Sequence, residues 1–181
     1  LGLGYEQPSA SNPRLVYCSV TGYGASGPLR SKAGYDQVLQ TMTGMFAMQA
    51  KEGRPPEILY GSVVDYYASA LVAAGASSAL HDREQSGLGQ HIDMALLDVQ
   101  VACLANQALG YLTTGENPQH LGNSHPSIVP YQDFPTADGY MILAIGNDGQ
   151  FQRFCAEAGQ AELAHDARFS TNALRVQHRQ E

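Results

Sequence analysis

The chain has 181 residues and a formal net charge of −7, and only 10 of its residues are Lys or Arg. This length suits one ample domain or two small ones, and the hydrophobic share of 44% is ordinary for a globular protein. Because the sequence has no basic stripe, we expect neither nucleic acid nor an anionic membrane surface as a partner. The apolar runs are interrupted by Gly, Ser and Tyr, and we expect none of them to span a membrane.

The cysteines Cys18, Cys103 and Cys155 are widely spaced and odd in number. None belongs to a CxxC pair, so the pattern predicts no disulfide framework or zinc site and favours a reducing compartment such as the cytoplasm. The first residues show neither a signal peptide nor an initiating Met. The last residues stop inside a helix-like pattern, so we interpret the sequence as a fragment.

The first part of the chain predicts alternating strands and helices. Residues 14–20, "RLVYCSV", are rich in β-branched and aromatic side chains and predict a buried strand. A loop dense in Gly and Pro leads to a predicted helix over 35–50. The apolar positions of that helix follow helical spacing and predict its core-facing stripe: Val38, Met42, Met45 and Phe46.

A second predicted helix runs from Asp65 to about His81 and is apolar on every side, which is typical of a buried helix. An exposed loop follows it. The segment "HIDMAL" then predicts a strand, and a long helix is predicted from about Leu97 to Leu112.

The composition becomes polar and rich in turn residues after residue 113, which predicts a linker. "YQDFPTADGYMILAI" then predicts a hairpin with the turn "TADG", and two helices follow, the last capped by Ser170 or Thr171. The sequence therefore predicts an α/β fold over residues 1–113 and the start of a smaller α+β domain over 114–181.

Two motifs invite a functional interpretation that we set aside. "GYGASG" (22–27) fits the dinucleotide fingerprint GxGxxG, but Pro28 follows at once and no helix opens within the motif. His120 and His125 share a loop with Asp133 nearby, yet a metal site would need a third well-placed ligand. We therefore expect an ordinary Gly-rich loop and solvated histidines.

Asp65 is the one charged residue at the entrance to a long uncharged segment, since no charge occurs from Tyr66 to Leu80. Its carboxylate can cap the helix by accepting hydrogen bonds from backbone amides. The same amides and the helix dipole favour negative charge there, and an oriented, partly desolvated carboxylate can attack an activated acyl group. Spacing alone leaves both roles open.

Three segments resemble the family III CoA-transferases, the group of formyl-CoA transferase and carnitine CoA-transferase. They are "NPRLVYCSVTGYGASGPLRSKAGYDQVLQTMTGM", "GSVVDYYASALVAAGASSALHDREQSGLGQHIDMALLDV" and "GNSHPSIVPYQDFPTADGYMILAIGNDGQF". The resemblance extends from about Asn12 to Phe154, with the motifs in family order and at family spacing. It implies that 1–113 is part of a Rossmann-like large CoA-binding domain carrying the nucleophile.

The resemblance also implies the site. Asp65 corresponds to the family's nucleophilic aspartate, which forms a covalent aspartyl intermediate, and helix capping would serve to orient it. The segment that contacts CoA corresponds to the residues just before the first helix: Lys32, Ala33, Gly34 and Tyr35. No metal or redox cofactor is implied, since the CoA thioester is itself a substrate. The implied partners are an acyl-CoA, a carboxylic acid and a second copy of the chain in an interlaced homodimer.

Related 2-methylacyl-CoA racemases share this scaffold but have "GHD" where this chain has "GYD". A racemase needs an acid/base pair, and a neutral tyrosine replaces the histidine poorly, so Tyr35 favours transfer.

"HLGNSHPS" stands where formyl-CoA transferase has a glycine-rich loop, and the residues that follow look more like members that act on dicarboxylates such as succinate, glutarate or mesaconate. An NAD(P)-dependent oxidoreductase, resting only on "GYGASG", and a non-catalytic binding domain, in which Asp65 is a mere cap, remain the alternatives from other classes.

Overall fold

The structure is a computed structural model that describes residues 2–51, 53–59 and 61–181. The chain forms two compact units, one made of Leu1–Ala47 and Glu57–Pro118, the other of Met48–Pro56 and Gln119–Glu181. The sequence pattern did not predict that residues 48–56 belong to the second unit. The two units are described separately below.

Two parallel strands and several helices make up the first unit. Its elements are α1 (Glu6–Ser11), β1 (Tyr17–Thr21), α2 (Asp36–Met42), α3 (Met45–Gln49, which continues past the unit boundary), α4 (Val63–Ser86), β2 (His91–Ala95), α5 (Leu96–Cys103) and α6 (Asn106–Thr114). β1 and β2 pair in parallel, with Tyr17 opposite His91 and Thr21 opposite Ala95. Parallel neighbours require a long crossover, which here includes α2 and α4, and the α/β prediction is confirmed.

The core of the first unit lies where α2, α4 and α5 meet, around Leu39, Val64, Ala68 and Val99. The apolar stripe predicted for the helix over 35–50 is wrong at Val38 and Met42, whereas Met45 and Phe46 are partly buried. Val38 and Met42 are about half exposed, at 45% and 51%, and the buried residues of α2 are Asp36, Leu39 and Gln40. The predicted single helix also breaks at Gly44, whose φ of 79° lies in the left-handed region.

The expectation that α4 is buried is likewise wrong, because only Val64, Ala68 and Ala79 are buried along it. Exposed tyrosines and leucines occupy much of its surface. The helix is longer than predicted and ends at Ser86. The next residue, Gly87, adopts φ 75° and donates its N–H to the Arg83 carbonyl. By length and composition alone α4 could cross a membrane, with a mean hydropathy of 1.2 over its most apolar window. The core helix of a soluble protein meets the same criteria, so the expectation that no run spans a membrane stays a prediction.

The long helix predicted over 97–112 is two helices in the structure. α5 ends at Cys103, and Ala105 takes a positive φ of 48° before α6 begins. Alanine rarely adopts this conformation, and apolar spacing carries no signal for such a break.

The second unit contains a hairpin and short helices. Its elements are β3 (Tyr131–Pro135), β4 (Tyr140–Ala144), α7 (Asp148–Glu157), a 3₁₀ helix (Ala161–His165) and α8 (Asn172–Gln177). The predicted hairpin is confirmed: the strands are antiparallel, and Thr136 donates its N–H to the Gly139 carbonyl across the turn. The predicted cap is also confirmed at Thr171, whose hydroxyl accepts from the Leu174 N–H.

Arg175 holds the second unit together from within, with only 2% of it exposed. Its Nε and one terminal nitrogen donate to the carbonyls of Val129 and Phe169, and the other donates to Asp148 Oδ1 at 2.9 Å. The guanidinium also lies over the Phe151 ring, 4.3 Å from its centre. A buried guanidinium is tolerated because every face of it has such a partner.

We predict that Arg175→Met lowers the free energy of unfolding by about 3 kcal/mol, because it leaves two part-buried carbonyls unpaired while keeping similar apolar bulk. Arg153→Met on the exposed surface of α7 is the matched control and should change stability by less than about 0.5 kcal/mol. Urea unfolding monitored by tyrosine fluorescence measures both. Equal effects of the two substitutions would contradict the role assigned to Arg175.

Candidate active site

Asp65 lies in the first turn of α4, three residues after the N-cap position at Ser62. Its side chain is exposed. Among the described residues, no hydrogen bond or ion pair engages its carboxylate oxygens, although its backbone carbonyl accepts from the Ser69 hydroxyl at 2.7 Å. The positive end of the helix dipole favours negative charge at this position. Asp65 therefore presents a carboxylate that is attached to a rigid helix and is not occupied by structural contacts.

A groove of about 440 Å³ begins at Asp65 and follows one side of α4. Apart from Asp65 and Ser69, its lining is apolar and small: Val20, Ala68, Val72, Ala73, Ala76 and Leu96. Val20 belongs to β1, and Leu96 is the first residue of α5. The carboxylate is thus next to a surface that offers a substrate apolar contact and few competing hydrogen bonds.

The cap of α4 comes from a different aspartate, so the expectation that Asp65 caps its own helix is wrong. Val64 donates its backbone N–H to Asp36 Oδ1 at 2.6 Å. The N-cap residue Ser62 makes no side-chain capping bond. The remaining oxygen of Asp36 accepts from Gln40 Nε2 at 2.5 Å. Asp36 is 6% exposed and Gln40 is fully buried, so this arrangement is part of the core.

The same hydrogen bond connects the end of the predicted CoA-contacting segment to the residues around Asp65. Tyr35 precedes Asp36, and Asp65 follows Val64, so each predicted residue is one position away from a member of the bonded pair. Tyr35 takes extended backbone angles at the N-cap of α2 and is 69% exposed. Tyr35 is absent from the lining of the groove, and its exposed ring is available to a ligand.

The remaining members of the predicted segment are Lys32, Ala33 and Gly34. They belong to a loop and do not line the groove. Lys32 and Ala33 are exposed. Gly34 lies against Gly22, since a Cβ placed on Gly22 would come within 2.6 Å of the Gly34 Cα and N atoms. This contact between two loop backbones fixes where the segment enters α2.

The Gly-rich motif is explained by that contact. Loop structure continues from Gly22 through Tyr35, and α2 begins only at Asp36. A dinucleotide fingerprint needs a helix N-terminus within the motif. The first glycine instead allows close backbone packing, and its carbonyl accepts from the Leu97 N–H at 3.0 Å.

The environments of Cys103 and His125 do not favour a competing catalytic or metal site. Burial raises the pKa of the Cys103 thiol, and the negative charge of Asp36 raises it further, so this thiol is a poor nucleophile. In the second unit, His125 stacks on Tyr131, and its Nδ1 accepts from the Ser127 N–H. Within the described ranges, 2–51, 53–59 and 61–181, no group of His, Cys, Asp or Glu has the geometry to hold a metal ion.

Sequence reasoning missed Asp36 and Gln40, the two polar residues buried beneath the site. Their separation of four residues places them on one face of a helix, and that spacing was the available signal. It was obscured because the apolar residues of the same helix suggested a different buried face.

The whole chain matches the profile of the family described as CoA-transferase family III, over residues 1–181. It is 47% identical over 180 residues to succinate–glutarate CoA-transferase of Agrobacterium fabrum, covering 99% of this chain and 45% of that protein. It is 41% identical to succinyl-CoA:glutarate CoA-transferase of Mus musculus, covering 100% of this chain and 42% of that protein. The chain thus spans about half the length of these relatives.

A solved structure agrees with the sequence comparisons. The crystal structure of a CaiB/BaiF family protein from Brucella suis superposes with a TM-score of 0.77 at 45% identity. The superposition covers 99% of this chain and 47% of that one. The likeness therefore includes both units of the chain.

We predict that Gly22→Ala lowers the free energy of unfolding by about 1–3 kcal/mol, because the new methyl group would meet the Gly34 backbone, which cannot rotate away. Gly110→Ala is the matched control. Nothing lies within 4 Å of a Cβ there, and the residue is inside α6, so alanine should stabilise by up to about 1 kcal/mol. Thermal unfolding of both variants provides the comparison, and a neutral Gly22→Ala would refute the packing role.

Proposed function

Because the chain belongs to CoA-transferase family III, we propose that the whole protein transfers CoA from an acyl-CoA to an acceptor carboxylic acid. The observation that carries this proposal is the Asp65 carboxylate, attached to the first turn of α4 beside an apolar groove. It is not engaged by hydrogen bonds from the described residues, and a carboxylate in that state can act as a nucleophile.

The proposed reaction proceeds by exchange at acyl carbons. An Asp65 oxygen attacks the thioester carbonyl carbon, a C–O bond forms, and the C–S bond breaks with its electron pair leaving on the CoA thiolate. The thiolate then attacks Asp65 Cγ of the mixed anhydride, forming an aspartyl-CoA thioester and releasing the donor as a free acid. The acceptor carboxylate repeats the two steps in reverse order, which yields its CoA thioester and restores Asp65.

No oxidation or reduction occurs in these steps, since one thioester and one carboxylate are exchanged for another pair. The proposed chemistry therefore uses no redox cofactor, and the negative charge on the thiolate and on the released acid requires no metal in this scheme. CoA is present only as part of the substrates.

We assign the CoA contacts to the segment Lys32, Ala33, Gly34 and Tyr35. Its supports are the exposure of Lys32 and Tyr35 and the hydrogen bond from Val64 to Asp36, which keeps Tyr35 close to Asp65 in the fold. The Tyr35 phenol would donate to the thioester oxygen, where negative charge develops during attack. A racemase is disfavoured because this phenol stands where those enzymes need a histidine base.

Short dicarboxylates are the proposed acids, with succinyl-CoA as donor and a glutarate-like acceptor. This choice is supported by the names of the Agrobacterium fabrum and Mus musculus relatives.

We further propose a cytoplasmic homodimer. The apolar side chains exposed along α4 include Tyr66 at 76% and Tyr67 at 56%, and a partner surface would remove such groups from water.

We predict that Asp65→Asn in the whole protein reduces turnover of succinyl-CoA and glutarate by at least about 1,000-fold, because an amide cannot form the anhydride. Formation of glutaryl-CoA, followed by liquid chromatography, measures the rate. Circular dichroism should be unchanged, since the Asp65 side chain makes no structural hydrogen bond with the described residues. Asp98→Asn, another exposed aspartate in the first turn of a helix, is the matched control and should keep wild-type turnover.

Retention of more than a few per cent of turnover by pure Asp65→Asn would rule out the nucleophile assignment. Incorporation of solvent deuterium at the α-carbon of a 2-methylacyl-CoA by the wild-type protein, without thioester exchange, would support the racemase instead.

We predict a smaller effect for Tyr35→Phe, a loss of about 10- to 100-fold in kcat for one hydrogen bond to the developing oxyanion. The ring and its exposure are kept, so the Michaelis constant for the acyl-CoA should change little. Steady-state kinetics with succinyl-CoA as the varied substrate separates the two constants. A large rise in the Michaelis constant with unchanged kcat would show that Tyr35 binds CoA without stabilising the transition state.

A further inference from the structure

We propose that Asp36 is a positioning residue for the transfer reaction, because its buried carboxylate holds the first turn of α4 and thereby aims the carboxylate of Asp65. This inference rests on the proposed function of Asp65. It assigns Asp36 no contact with substrate.

The argument begins with the backbone of α4. The first four N–H groups of a helix have no partner within the helix, and the N-cap residue Ser62 supplies none from its side chain. Asp36 Oδ1 accepts from Val64 N–H, a residue 28 positions later in the chain. A hydrogen bond from a backbone amide to an ionised carboxylate is about twice as strong as one between neutral groups.

Asp36 itself is held in one orientation. Its second oxygen accepts from Gln40 Nε2 one helical turn later, and both residues are almost completely removed from water. A buried carboxylate is stable only when hydrogen bonds satisfy it, so rotation of the Asp36 side chain would break two bonds at once. The cap therefore has little freedom to move.

The consequence for catalysis is a division of roles between two carboxylates. Val64 is bonded to Asp36, and the next residue is Asp65, so the peptide that carries the nucleophile starts from a fixed point. Asp65 does not need to cap the helix, and its oxygens stay available to attack. Displacement of a reacting group by about 1 Å can reduce a rate about 100-fold, which makes the fixed point important to turnover.

The test compares four variants of the whole protein by kcat, the Michaelis constant for succinyl-CoA and the melting temperature. Asp36→Ala removes the cap, and we expect kcat to fall about 30- to 100-fold while the Michaelis constant changes less than about threefold. Asp36→Asn should rescue kcat to within about fivefold of wild type. The amide oxygen of Asn at position 36 can still accept from the Val64 N–H. Gln40 Oε1 has no partner among the described residues, so rotation of the Gln40 amide would let Oε1 accept from the new NH₂ group.

The third variant, Gln40→Met, keeps the cap but releases the second oxygen of Asp36, and kcat should fall about tenfold. If Asp36→Ala does not fold, the kcat of Gln40→Met is the measurement that tests the positioning role. The fourth, Ile92→Ala, is the control for lost stability alone. Ile92 packs on Gly75 of α4, well along the helix from Val64, so the melting temperature should fall while kcat stays within about threefold.

Three results would overturn the positioning role. They are a kcat of folded Asp36→Ala within threefold of wild type, a kcat of Asp36→Asn no better than that of Asp36→Ala, and a loss of kcat in Ile92→Ala as large as in Asp36→Ala. If Asp36→Ala is unfolded, wild-type kcat in Gln40→Met overturns it.

A trapping measurement separates this outcome from failure of the proposed function. Wild-type protein is mixed with succinyl-CoA and quenched with hydroxylamine. After proteolytic digestion, mass spectrometry measures the mass of the peptide that contains Asp65. Absence of a hydroxamate on Asp65 would reject the proposed function. A hydroxamate that forms in Asp36→Ala as fast as in wild type would reject the positioning role alone, and formation slowed in proportion to kcat would support it.

Discussion

The hydrogen bond from the Val64 amide to the Asp36 carboxylate is the constraint on which the arrangement of the first unit depends. It joins the start of α2 to the start of α4 across 28 positions of sequence. Leu39, Val64 and Val99 belong to one apolar cluster of α2, α4 and α5, so the polar bond and the apolar core both hold α2 against α4. A buried polar bond of this kind favours one packing arrangement, and here it joins the residue after Tyr35 to the residue before Asp65.

The surroundings of Asp65 favour nucleophilic attack at an acyl carbon. The groove beside it is lined by small apolar residues and by Ser69, whose hydroxyl is already bonded to a backbone carbonyl. No Lys or Arg occurs among the described residues that line it. An ion pair with such a cation would make the carboxylate a weaker nucleophile. Under the proposed function, the groove supplies no cation for the distal carboxylate of a dicarboxylate.

The elements that sequence reasoning predicted correctly are those specified by local chemistry. The hairpin with its turn at Thr136–Gly139 and the Thr171 cap depend on nearby residues, and they were predicted correctly. The buried face of α2, the exposure of α4 and the break at Ala105 depend on which neighbours pack against each helix. Apolar spacing predicts that a helix is amphipathic but not which partner it meets, so these features were missed.

The same limit applies to the site. The residue pattern could not decide whether Asp65 caps a helix or reacts, because both roles require a carboxylate at a helix N-terminus. Resemblance to a family identified Asp65 as the candidate nucleophile but did not reveal what holds it. The structure assigns the cap to Asp36, a residue that the apolar pattern of α2 had concealed. A carboxylate whose oxygens accept hydrogen bonds from backbone amides is stabilised in place, and each such bond weakens its attack on carbon. Separating the two tasks between Asp36 and Asp65 allows α4 to be firmly anchored while its only first-turn carboxylate stays reactive.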